Sequence, residues 1–112
     1  MEILKEKFKT KAEAAALEIK EIIKTHGTKK VGEVTLAQVY QGMRGITGLV
    51  TETSLLDAQE GIRFRGYSIP ELQASLPKAP GGGEPLPEGL FHLMLLGELP
   101  TQEDAERITS IW

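Results

Sequence analysis

Apolar residues recur at three- and four-residue steps over the first part of the chain, at Leu4, Phe8, Ala12, Ala15, Ile19 and Ile22. That period predicts an amphipathic helix from Glu2 to about Thr25. Glu2–Lys5, Glu6–Lys9 and Glu21–Lys24 set opposite charges three apart on it, a spacing that gives modest support. Gly27 ends it, with Lys24 and His26 in the last turn, where positive charge is favoured. Alanine fills the middle of the stripe, so the helix needs a partner surface to pack on.

The pattern then breaks into shorter pieces. Val31 to Val34 reads as extended, Thr35 as an N-cap, and Leu36 to Gly42 as two helical turns. Gly42, Gly45 and Gly48 follow at three-residue spacing, which opposes a helix and permits positive φ. Leu49 to Thr53 and Ile62 to Gly66 are β-like, and with the loop Ser54 to Gly61 they predict one hairpin. In it Ile62 and Phe64 share one face and Arg63 and Arg65 the other, with Glu52 across from one of the arginines. Ser68-Ile69-Pro70-Glu71 is a capping box, with Tyr67 and Leu72 as its staple, for a helix over Ile69 to Ser75 closed by Pro77. Pro80 to Pro85 is a loop. Pro87 opens the next helix as its first residue. Leu90, Phe91, Leu93, Met94, Leu95 and Leu96 make that helix apolar nearly all round, and Gly97 ends it. Thr101 caps a last helix, whose stripe of Ala105, Ile108, Ile111 and Trp112 meets no stop signal. The expectation is therefore a piece of a longer protein. The Leu90-to-Leu96 and Trp112 surfaces are expected to drive association into a dimer or higher oligomer.

Composition narrows the classes. A chain of 112 residues fits one small domain, and 40% hydrophobic with 26% charged residues is ordinary for a globular protein. A net charge of -3 argues against nucleic acid as the main partner. With no cysteine there is no disulfide, no thiolate nucleophile and no cysteine-ligated zinc. No targeting segment is expected: early Glu2, Glu6 and Glu13 and the absence of arginine before Arg44 do not suit a transit peptide. No stretch approaches the roughly 18 apolar residues of a membrane span, so no membrane partner is expected.

Few residues carry chemistry. His26 and His92 lie far apart on different predicted elements, so no metal site is expected. The run Gly81-Gly82-Gly83 lacks the Lys-Ser/Thr of a phosphate loop and reads as a connector. Gly45-Ile46-Thr47-Gly48 matches a bare GxxG, but a β-like run follows where a KH loop needs a helix. Arg44 stands among glycines, where a ligand can approach closely, and its side chain suits bidentate phosphate or carboxylate contacts. A salt bridge to an acid of the fold is an equal alternative. Arg63 and Arg65 read as structural residues of the hairpin.

Taken in order, MRG with GLV-x-ETS, then EGIRFRGYSIPE, PLPEGLF and G-x-L-PT resemble citrate synthase of the type found in mitochondria and some bacteria. The likeness covers Val31 to Trp112, and the motifs match its N-terminal portion. The resemblance implies a mainly α fold: the N-terminal helical part of citrate synthase with one small β-hairpin. Residues 1–27 would be the leading helix and 28–112 the N-terminal part of the large domain, truncated at its C-terminal side. It implies an enzyme several times longer that works as a homodimer and joins acetyl-CoA to oxaloacetate, giving citrate and CoA. The family's two catalytic histidines and its aspartate lie in motifs beyond Trp112, so this chain is expected to hold no catalytic residue and to be inactive alone. Its partners would be the remainder of the enzyme chain and a second copy. The arginine of MRG contacts a CoA phosphate in the family, across the dimer in some members, and corresponds to Arg44. Acetyl-CoA and CoA would be substrate and product, with no permanently bound cofactor. Tryptophan is common in the family where His92 stands, and glycine where Gln41 stands. The compartment would be the bacterial cytoplasm or, after processing, the mitochondrial matrix. A non-catalytic interaction module and a fragment of 2-methylcitrate synthase are the alternatives.

Overall fold

A computed structural model describes residues 2–112. The chain divides into two compact units, Met1–Ala12 with Thr51–Trp112, and Glu13–Val50. Helix α1, Glu2–His26, runs through the division. Its charged last turn holds Lys24 and His26, as the sequence predicts.

In the larger unit, β1 (Ser54–Asp57), β2 (Gly61–Phe64) and β3 (Tyr67–Ser68) form an antiparallel sheet in the order β1-β2-β3. The expected hairpin is corrected in two ways. The first strand lies inside the predicted loop, because Asp57 makes the turn: its Oδ1 accepts from the N–H groups of Gln59 (2.8 Å) and Glu60 (2.9 Å). Asp57 then pairs with Gly61 and Ser54 with Phe64, and Leu49–Val50 stay outside the sheet. The second correction is a third strand. Phe64 pairs with Tyr67 across a two-residue turn in which Arg65 (φ 49°) and Gly66 (φ 87°) both have positive φ. That turn matches the twist of the flanking strands. Arg65 is thus a turn residue and does not share a strand face with Arg63.

Helix α3 (Ile69–Ser75) starts at the predicted capping box: Glu71 Oε2 accepts from the Ser68 N–H at 2.7 Å, and Ser68 Oγ accepts from the Glu71 N–H. Helix α4 (Pro87–Leu96) has proline in its first turn and ends at Gly97, which is left-handed at φ 73°. Helix α5 (Gln102–Thr109) is capped by Thr101 with Asp104 reaching back to the Thr101 N–H at 3.1 Å. The chain then turns, with the Ile111 and Trp112 N–H groups both bonded to Ile108 O, and Trp112 meets Phe91 edge to face at 5.4 Å.

The core follows from these faces. Leu72 and Leu76 of the α3 segment close on Leu93 of α4, with Phe64, Tyr67 and Leu90 packed against them. Leu96, Ala105 and Ile108 are buried where α4 and α5 meet. Much of the apolar surface of α4 is therefore consumed within the chain. The start of α1 belongs to the same unit: Lys7 pairs with Asp104 at 3.5 Å and Lys11 with Glu98 at 3.0 Å.

In the unit Glu13–Val50, α1 is followed by an extended stretch and by α2, Leu36–Tyr40. Only Gln38 and Ile46 are even partly buried there. Ile19, Ile22 and Val39 are each more than half exposed.

A candidate anion-binding turn at Arg44

The turn that presents Arg44 is built by short-range hydrogen bonds. Thr35 caps α2: its Oγ accepts from the Gln38 N–H, and Gln38 Oε1 accepts in return from the Thr35 N–H at 2.9 Å. At the other end, the Met43 N–H reaches Gln38 O at 2.8 Å and the Gly42 N–H reaches Val39 O at 3.3 Å. This pair of bonds is the Schellman ending, which needs a left-handed residue, and Gly42 supplies it at φ 73°. Met43 also has positive φ, 63°, a conformation that costs an L-residue about 1 kcal/mol. The Ile46 N–H then donates to Met43 O at 3.2 Å and closes a tight turn. Arg44 and Gly45 are its two central residues, and Gly45 has φ 72°. A positive φ at that second position is what glycine provides in such a turn.

Arg44 sits at the tip of this turn and is exposed. It forms no ion pair with any of the described residues. The salt-bridge alternative is therefore not realised among the described residues. A free guanidinium on a glycine-flanked turn is chemically suited to a phosphate or carboxylate.

The two arginines beside the sheet, Arg63 and Arg65, are engaged. Arg63 donates through Nε to Glu60 Oε2 at 3.1 Å and through a terminal nitrogen to Gly66 O at 3.0 Å, and it lies 3.6 Å from Glu71. Arg65 donates to Met94 O through Nε at 3.2 Å and through a terminal nitrogen at 2.8 Å. Met94 lies in the last turn of α4, where carbonyls lack an intrahelical partner and the dipole favours a cation. Arg65 thus caps a helix, with Glu52 3.9 Å away as its acid.

The two histidines belong to different units. His26 is exposed at the end of α1. His92 is 2% exposed and its Nδ1–H donates to Glu98 O at 3.3 Å, leaving Nε2 buried and unpartnered. A cavity of about 280 Å³ lies beside it, lined also by Ile3, Leu4, Lys7 and Ile108. Among the described residues no group of three or more His, Asp or Glu side chains could hold a metal ion. The glycine run 81–83 sits in an exposed loop whose ends are joined by a Lys78–Pro85 bridge.

Sequence reasoning missed Gln38. Its signal was present: Thr35-x-x-Gln38 has the same spacing as Ser68-x-x-Glu71. The turn-forming role of Asp57 was also missed, although Asp followed two and three residues later by free N–H groups is a known turn former.

Comparison with known proteins places this geometry in a family. The family model for citrate synthase, C-terminal domain, matches residues 42–112, a span that begins at the Arg44 turn. The chain is 55% identical over 109 residues to the mitochondrial citrate synthase of Aspergillus niger, covering 97% of this chain and 23% of that protein. The match to Neurospora crassa mitochondrial citrate synthase is also 55% over 109 residues. That to Kajikia audax is 56% over 94 residues, 84% of this chain and 20% of the relative. The chain thus spans about a quarter of the length of these relatives. The placement expected from the motifs, an N-terminal portion with the N-terminal helical part of the fold, is overturned by the C-terminal-domain model. The fold that remains is mainly α with a small β-sheet. Short motifs report common ancestry, and they do not report how the family's domains are bounded. The chain belongs to the citrate synthase family, and the part of it from residue 42 onward is matched by that family's C-terminal domain.

Proposed function

We propose that this chain is part of a citrate synthase that condenses acetyl-CoA with oxaloacetate to give citrate and CoA. The observation that carries the reading is the 55% identity to a mitochondrial citrate synthase over 97% of the chain. The relatives' names favour the mitochondrion over the bacterial cytoplasm, and citrate over 2-methylcitrate as product. Arg44 is assigned the contact to a CoA phosphate. Its exposure, its lack of an ion pair among the described residues and its place on a glycine-flanked turn support that role. Residues 28–112 form part of the enzyme's large domain, a second copy completes a homodimer, and catalysis needs groups outside these 112 residues.

The test is to assay thiol release from acetyl-CoA with oxaloacetate, in a full-length enzyme carrying this segment and in the 112-residue chain alone. The full-length enzyme should turn over and the short chain should not. A full-length enzyme that leaves acetyl-CoA intact would overturn the activity. Arg44→Ala should raise KM for acetyl-CoA roughly tenfold with kcat little changed, the mark of a lost uniform binding contact. An unchanged KM would remove Arg44 from the site.

A further inference from the structure

Resting on the Arg44 reading, we infer that Gln38 is a positioning residue for CoA binding. It bonds to the residue before Arg44 and lies near the residue after it. Before Arg44, the Met43 N–H is bonded to the main-chain carbonyl of Gln38 at 2.8 Å. After it, the Gln38 amide nitrogen lies against Gly45, 3.7 Å from where a Cβ would stand. Gln38 is itself anchored, because its Oε1 accepts from both the N–H (2.9 Å) and the hydroxyl (3.2 Å) of Thr35. It is one of only two residues between Glu13 and Val50 that are even partly buried.

The physical argument is preorganisation. An exposed arginine on a short turn has no side-chain partner to fix it. Ordering its backbone when ligand arrives would weaken binding. Here the turn is ordered in advance: the Gln38 side chain caps the start of α2, and the main-chain carbonyl of the same residue holds Met43 at its exit. Gln38 need not touch the phosphate for this. Its effect should pass entirely through Arg44.

The experiment measures CoA affinity and steady-state constants in the full-length enzyme. Gln38→Ala should weaken CoA binding about fivefold, the scale of one lost capping interaction, with kcat unchanged. Thr35→Ala breaks the same cap from the other side and should give the same loss, and it carries the test if Gln38→Ala folds poorly. Gln38→Glu keeps the acceptor of the capping box and should bind CoA within about twofold of the parent. In an Arg44→Ala background, Gln38→Ala should add nothing, whereas independent effects would multiply. A full additional loss in that background overturns the inference while leaving Arg44 in place. So does unchanged affinity in both Gln38→Ala and Thr35→Ala. If Arg44→Ala alone leaves CoA affinity intact, the underlying reading falls and this inference falls with it.

Discussion

The two units use the same local devices and reach different ends. Thr35-x-x-Gln38 in Glu13–Val50 and Thr101-x-x-Asp104 in the larger unit are both complete capping boxes. Both units also have left-handed glycine helix endings, at Gly42 and Gly97. Yet the larger unit buries Leu72, Leu76, Leu93, Leu96, Ala105 and Ile108, and the smaller buries nothing. Hydrogen bonds that span three or four residues can shape a helix or turn wherever they occur. A core needs apolar faces from elements distant in sequence, and within Glu13–Val50 no second face is available. A turn can therefore be well shaped in a unit that buries no side chain of its own.

The sharpest way to break this contrast is to delete equal apolar volume from each unit. Leu93→Ala removes a side chain with no exposure and should cost about 3 kcal/mol or more. Ile22→Ala removes one that is 52% exposed and should change stability by less than about 0.5 kcal/mol. Urea unfolding followed by far-UV circular dichroism gives both values. Comparable losses would show that the smaller unit has a core after all.

Next in size is Arg65. Arg65→Met keeps the stem but loses both bonds to Met94 O, which should destabilise the larger unit by about 2 kcal/mol. Hydrogen exchange should quicken at the end of α4. A neutral result would mean that water replaces the guanidinium at no cost.

The caps give a smaller effect. Thr101→Ala should lower stability by about 1 kcal/mol because α5 is packed on the core. Thr35→Ala should leave the unfolding midpoint unchanged and raise amide exchange only near α2. Equal shifts in midpoint would show that the two units unfold together.

The smallest effect is acid sensitivity, which is also confined mostly to one unit. Hydrogen bonds from the Glu60 and Gln59 N–H groups hold Asp57 below its ordinary 3.8. The Ser68 hydroxyl and N–H lower Glu71 from 4.5, and the Lys11 ammonium lowers Glu98 from the same value. At Asp104, burial pushes the pKa up but is outweighed by the Thr101 bonds and by Lys7 and His92, so it too is lowered. A carboxylate that titrates lower when folded stabilises fully above its unfolded pKa. That contribution is lost as pH falls through the folded value. Unfolding midpoints should hence be flat from pH 7 to about 5 and decline below about 4, with no matching loss of structure at α2. Amide shifts of Gln59, Glu60 and Glu71 followed from pH 6 to 2 would locate the decline.

What could be read in advance follows this same division. The box at Ser68, the cap at Thr101, the proline start of α4 and the Gly97 ending all depend on neighbours along the chain. So does Arg44 among its glycines. The first strand was misplaced because β propensity in Leu49–Thr53 outweighed a weaker signal, a single aspartate able to close a turn. Arg65 was read as a strand residue because nothing in its type announces a left-handed turn. Its role as a helix cap depends on Met94, 29 positions away.

The sequence by itself determined the helices, the caps at Thr35, Ser68 and Thr101, the placement of Arg44 among glycines and the family, since each rests on residues within a few positions or on an ordered string of motifs. Only the tertiary structure decided which apolar faces became core, which arginines were engaged and that Arg65 caps α4. Burial and long-range pairing depend on what packs opposite a residue in space, and that information is not carried by any local pattern.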